Sequence, residues 1–165
     1  MIIGIGILIA GGIVAYLAAS QFQFPAVFTS SKISLEPTSV TIVNGSTFTI
    51  NIKVAPGGSV AQVYAWRTNI NYPVDLLELI SATGSSIDAP SLEAIAASVA
   101  GAQNGIATVL AADAYISPLL AETSIEQLIF RAKKTGTATI TLSEGIIRAK
   151  NEASAQLSNS VITIQ

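Results

Sequence analysis

Much enzyme chemistry relies on histidine or cysteine, and this 165-residue sequence contains neither. Ser-His-Asp and Cys-His schemes have no imidazole or thiolate to work with. A disulfide framework and a zinc site of the usual ligands are excluded for the same reason. Carboxylates remain. Asp75 and Glu78 flank a turn and a strand start, and Glu122 and Glu126 have similar spacing. Residue type alone leaves a two-carboxylate glycosidase open. Nothing in the flanking pattern aims either pair at a common point, however, and solvated strand ends account for both. Asp88 and Asp113 are isolated, outside any calcium-loop spacing. No glycine-rich phosphate loop follows a strand, and Lys133-Lys134 belongs to a turn. The expected protein is not an enzyme and needs no cofactor or metal.

Composition points to a β-domain with an apolar tail. Hydrophobic residues make up 50% of the chain, charged residues only 11%, and the net charge is −2. Such a balance suggests neither nucleic acid nor anionic lipid as an electrostatic partner. Residues 1–19, MIIGIGILIAGGIVAYLAA, hold no charge, and the first charged residue is Lys32. A helix of that length spans roughly 30 Å, about one bilayer core. Pro25 ends it near residues 21–24. Phe22, Phe24 and Phe28 surround the exit, placed for a membrane interface or for seating the domain on the helix. Three origins compete. Ala18-Ala19-Ser20 is like a signal-peptide cleavage site, but the start lacks basic residues. A plain anchor also normally carries Lys or Arg on its cytoplasmic flank. The third is a processed start from which a basic leader has been cut. Gly4, Gly11, Ala15 and Ala19 are the candidate helix-packing residues; the last three, at four-residue spacing, form a small face that lets helices approach closely.

From Ile33 the hydrophobic period becomes two. In STFTINIKV, Phe48, Ile50, Ile52 and Val54 share one face. In VYAWRTNINY, Tyr64, Trp66, Thr68, Ile70 and Tyr72 share another. LLELISAT, GIATVLAA, SIEQLIFRAK, TATITLS, IIRAK and SVITIQ read as further strands. Leu128, Phe130 and Ala132, then Ala138, Ile140 and Leu142, are predicted inward sets. Asn44-Gly45, Pro56-Gly57-Gly58, Asn104-Gly105 and Lys133–Gly136 mark turns. One short helix interrupts the strands over residues 91–100, with Asp88 or Ser91 as its cap and Gly101 closing it. Roughly nine strands at this spacing indicate a two-sheet sandwich. Asn44-Gly45-Ser46 is a glycosylation sequon in a predicted turn, which makes Asn44 a candidate modification site. AYISPLLAE reads as a loop whose Tyr115, Ile116, Leu119 and Leu120 either plug the sandwich end or contact another subunit.

Two resemblances follow from these residues. Residues 1–28 resemble the mature N-terminal helix of type IV pilins and their archaeal relatives, although Ile5 stands where many bacterial pilins carry glutamate. That resemblance implies a helix that first sits in the membrane and then packs in a filament core. Residues 33–165 resemble cohesin domains, the jelly-roll sandwiches that bind dockerin modules. VYAWRTNINYPVDLLELISATG and SIEQLIFRAKKTGTATITLSEG carry the likeness. In cohesins one sheet face binds the partner, which would make the outward residues Arg67, Asn69, Gln127 and Arg131 candidates here. The expected fold is mainly β: a long hydrophobic N-terminal α-helix and linker over 1–28, then a cohesin-like jelly-roll β-sandwich over 29–165 with one short inserted helix. The expected function is a structural, pilin-like subunit of an extracellular type IV pilus-like filament of the archaeal kind. It would be inserted in the membrane before assembly, would polymerise with itself and would expose the sandwich for adhesion or coating. The alternative is a membrane-anchored cell-surface module recognising a dockerin or a polysaccharide.

Overall fold

Strand β4 (Val63–Pro73) has a hydrogen-bonded neighbour on each side, and the other elements arrange themselves about it. The computed structural model describes residues 31–57, 62–84, 92–148 and 152–165. In chain order the remaining strands are β1 (Lys32–Glu36), β2 (Ser39–Ile42), β3 (Thr47–Ala55), β5 (Leu77–Gly84), β6 (Ile106–Leu119), β7 (Thr123–Ala132), β8 (Gly136–Arg148), β9 (Glu152–Ser154), β10 (Gln156–Ser158) and β11 (Ser160–Ile164). Helix α1 (Leu92–Ala100) lies between β5 and β6 in the chain. One sheet has the order β10-β1-β3-β7-β5, the other β2-β11-β8-β4-β6, with β9 paired to β8. The chain crosses between sheets at Pro37 and Thr38, which separate β1 from β2. Parallel pairing of β1 with β10 and of β2 with β11 ties the two ends of the domain together.

The core forms where the inward sets of the two sheets meet. Ile50, Ile52 and Val54 of β3 and Leu128, Phe130 and Ala132 of β7 are buried, and so are Ile70 and Tyr72 of β4 and Ala138, Ile140 and Leu142 of β8. The predicted inward sets are observed. At their centre Tyr72 meets Phe130 edge-on, with ring centroids 5.3 Å apart, and Phe48 stacks on Phe130 at 5.8 Å. Ile95 of α1 is also buried in this core. The Gly101 amide donates to the Ala97 carbonyl at 2.9 Å and closes the helix, as expected; its proposed caps Asp88 and Ser91 lie outside the described residues. Asn104 and Gly105 both have positive φ, 52° and 76°, the geometry that a two-residue hairpin turn requires.

Two expectations about faces and loops are corrected. Tyr64 does not join Trp66 on the inner face: it is exposed and Val63 is buried. The β4–β6 register shifts between Val63 and Ala65, and such a bulge reverses the alternation beyond it. AYISPLLAE is not a loop, since β6 runs through it to Leu119 and pairs that residue with Val63. Pro118 is compatible with this because β6 is the outermost strand of its sheet.

The N-terminal helix expected over 1–28, with Gly4, Gly11, Ala15 and Ala19, lies outside the described residues. Among the described residues no helix is long and apolar enough to cross a membrane.

The packing makes a stability prediction. Phe130→Ala should destabilise the domain by about 3–5 kcal/mol in urea unfolding, because it empties the centre of the core. Its exposed neighbour Arg131→Ala should cost no more than about 1 kcal/mol.

Candidate partner-binding face

Residues of β4 that do not face the core face outward, and its two neighbours set what lies beside them. Ala65 stands between Ala114 of β6 and Arg148 of β8; Arg67 stands between Ala112 and Ile146. Asn69 lies beside Leu110 and Ser143, and Asn71 beside Thr108 and Thr141. The outward surface of β6, β4 and β8 is therefore a grid of four rows.

Its two halves differ. In the Asn71 rows the polar groups satisfy one another. Thr108 Oγ1 donates to Asn71 Oδ1 at 2.8 Å, Asn71 Nδ2 donates to Ser143 Oγ at 3.0 Å, and Asn69 Nδ2 donates to Glu144 Oε2 at 3.0 Å. In the Arg67 rows the alanines leave a shallow cavity of about 220 Å³ between the longer Arg67, Ile146 and Arg148 side chains. Trp66 and Asp113 lie beneath it, both buried, and Asp113 Oδ1 accepts the Ala114 amide at 2.7 Å. Arg67 and Arg148 are exposed and make no ion pair with a described side chain. Leu110 is 57% exposed at the border of the halves, and Ile106 is 41% exposed at the start of β6.

The opposite surface, formed by β3, β7 and β5, has a different character. Lys53 pairs with Glu36 and, at 3.6 Å, with Glu122; Arg131 pairs with Glu78 at 3.3 Å. The carboxylates beside Lys53 hold its ammonium above the ordinary lysine range. No large apolar side chain among the described residues of these three strands is exposed. The four candidate contact residues thus divide: Arg67 and Asn69 lie on one surface, Gln127 and Arg131 on the other.

The remaining sequence candidates can also be placed. Asn44 is exposed in the β2–β3 turn. Tyr115 is half-buried, its hydroxyl accepting Trp66 Nε1–H at 3.0 Å, and Leu119 packs on the core. Leu120 is 69% exposed, and the Ile116 side chain lies outside the described set. Burial pushes the Tyr115 phenol well above the ordinary tyrosine range; the Trp66 N–H opposes this, and Asp113 and Glu126 add to it. Tyr115 and Leu119 therefore pack against the core of the sandwich, and Leu120 does not. Neither carboxylate pair forms a two-carboxylate site: Glu78 and Glu122 are exposed and ion-paired, Asp75 is exposed in a turn, and Glu126 is buried.

Leu110, Ile146 and Arg148 were not singled out from sequence. Leu110 did carry a signal, since it falls in the outward phase of β6 between buried Val109 and Ala111, where a polar residue is expected.

Comparison with known proteins gives the following. The model of the cohesin domain family matches residues 33–164. The fold is similar to the non-cellulosomal cohesin from the hyperthermophilic archaeon Archaeoglobus fulgidus, with TM-score 0.60 and 16% identity over 83% of this chain and 92% of that one. It is similar to the cohesin module of a Clostridium perfringens family 33 glycoside hydrolase, at 0.61 and 14%, covering 82% and 96%. It is also similar to the sixth cohesin of Acetivibrio cellulolyticus scaffoldin B, solved in complex with a Cel5 dockerin mutant, at 0.59 and 15%, covering 83% and 100%. No curated protein matches. The matched residues are those of the sandwich and stop short of the N-terminal run. These matches support the binding-module part of the second functional reading and leave its membrane anchor untouched, and nothing in them supports the pilus-like filament or the archaeal assignment.

Tyr115→Phe should keep the fold but leave the buried Trp66 N–H without its acceptor, at about 1–3 kcal/mol in urea unfolding. The phenols give a second expectation. Burial raises Tyr72 and Tyr115 in the folded state, so their contribution is complete below the ordinary tyrosine value of about 10 and is lost as pH rises above it. Stability should fall above about pH 10, and the fall should be shallower in Tyr115→Phe.

Proposed function

This chain belongs to the cohesin domain family, and from that premise we propose that it is a binding module that docks a dockerin-like protein on the outward surface of β6, β4 and β8. The observation that carries this is the contrast between the two sheet surfaces. The surface of β3, β7 and β5 pairs its charges internally, whereas the β4 surface exposes Leu110 one row from Arg67 and Ile106 at its far end, and its two arginines pair with no described side chain. Interfaces draw their affinity from apolar anchors at their centres and their orientation from charges around them. The complex of the Acetivibrio cellulolyticus relative with a dockerin supports the class of partner. In this reading no bond is made or broken, and residues 1–28 tether the module at a cell surface.

The same contrast argues against a polysaccharide as the principal ligand. Among the described residues of this surface the exposed aromatic is Tyr64, and its hydroxyl donates to Gln62 Oε1 at 3.1 Å. Leu110 and Ile106 are better covered by the apolar side chains of a protein.

Titration calorimetry of the full chain against a panel of dockerins, beginning with the Acetivibrio cellulolyticus Cel5 dockerin, tests the proposal. At least one should bind. Leu110→Asp should weaken that binding at least tenfold, while Gln127→Ala and Arg131→Ala leave it within about twofold. No binding across the panel, or sensitivity at Gln127 and Arg131 instead of Leu110, would overturn it.

A further inference from the structure

The chain has three arginines. Arg131 is paired with Glu78 on one sheet surface, and the other two line one cavity on the opposite surface. Arg67 has no acid beside it in either register: its neighbours across the strands are Ala112 and Ile146. Arg148 stands one row away, beside Ala65, so the two are diagonal neighbours. Diagonal pairs on a sheet lie about 7–8 Å apart, within the reach of long side chains toward one point. Two of the acids near them are otherwise placed. Asp113 is buried beneath the cavity and accepts the Ala114 amide; Glu144 accepts from Asn69. Glu152 lies opposite Arg148 in the β8–β9 register, which leaves Arg67 as the arginine with no acid opposite.

Resting on the docking reading, we infer that Arg67 and Arg148 form a carboxylate clamp that receives an aspartate or glutamate side chain of the docked protein. Two guanidinium groups side by side repel, and an entering carboxylate relieves that repulsion while offering two oxygens, one to each planar fork. The floor suits this use. Ala65, Ala112 and Ala114 leave a space of about 220 Å³ that a carboxyl group can enter without displacing a side chain. The cation pair would also select against partners that present lysine or arginine at that point, since a desolvated like-charge contact is strongly unfavourable. An acidic polysaccharide carries the same functional group, but it would leave Leu110 and Ile106 uncovered, so a protein carboxylate is the source favoured here.

The test uses the full ¹⁵N-labelled chain and two small probes, N-acetyl-glutamate methylamide and its glutamine counterpart. The Nε–Hε signals of all three arginines are followed by NMR. The glutamate probe should shift Arg67 and Arg148 saturably, more strongly at low salt, and should leave Arg131 still. The glutamine probe should shift none of them. Arg67→Gln or Arg148→Gln should each weaken the response at least fivefold. Equal responses to the two probes, or an Arg131 shift as large as that of Arg67, would overturn the clamp. Tighter binding of polygalacturonate than of polyglutamate would overturn its assignment to a protein partner. A dockerin that binds the wild-type chain should lose at least tenfold with Arg67→Glu, and part of that should return when its contacting acid is changed to lysine. If no dockerin binds but the glutamate probe responds as described, the docking reading fails and the clamp stands. If a dockerin binds but the probe gives no response, the clamp alone fails.

Discussion

A strand with a neighbour on each side has its backbone hydrogen bonds satisfied, so its side chains alone decide what its two faces do. β4 is in that position, between β6 and β8. Its inner face is set by Trp66, Thr68, Ile70 and Tyr72, all buried, with Tyr72 against Phe130 of the opposite sheet. That contact fixes which side of β4 is inward, because a slip of one residue would exchange the two faces. Once Tyr72 and Trp66 face in, Arg67, Asn69 and Asn71 must face out, and each meets whatever β6 and β8 bring to the same row. The outward grid is thus a consequence of core packing, and its chemistry can vary with little effect on the fold.

The closure of the sandwich protects this arrangement. The chain enters through β1 and β2, one in each sheet, and leaves through β10 and β11, each paired in parallel with one of them. Both ends of the domain are held on one side of the molecule. On the other, α1 sits between the outer strands β5 and β6 and sends Ile95 into the core. Tyr115 and Leu119 extend the same closure along β6, with Trp66 Nε1–H satisfied by the Tyr115 hydroxyl. Two of the apolar side chains in AYISPLLAE are engaged in this way, and Leu120 stays exposed.

Local patterns were well read from sequence, and relations between distant strands were not. Alternation in β3, β7 and β8 placed Ile50, Phe130 and Ile140 correctly, and Asn104-Gly105 announced its turn through conformations that glycine adopts at little cost. Tyr64 was misplaced because a bulge inserts residues without leaving a mark in the hydrophobic period. The division of Arg67 and Asn69 from Gln127 and Arg131 was invisible for a different reason. Each pair lies outward on its own strand, but which strands share a sheet depends on pairings far apart in sequence. The same holds for Arg67 and Arg148, separated by 81 positions in the chain and brought to adjoining rows by the β4–β8 register.

Low charge density gives the placement of each charge more weight. In a chain that is 11% charged, ions cannot be assumed to cancel locally by chance. On the β3–β7–β5 surface the sequence supplies acids opposite or beside its cations, Glu78 for Arg131 and Glu36 and Glu122 for Lys53. Such exposed pairs contribute little stability, but they leave that surface electrostatically quiet toward a passing protein. Around Arg67 the neighbouring positions are alanine and isoleucine instead, in the same chain and under the same folding constraints. Folding does not require that difference, since an acid at position 112 or 146 would face outward equally well. A surface that places no acid beside Arg67 keeps the interaction energy of that cation for an external partner, and it does so one row from the exposed Leu110 that a docked protein would cover.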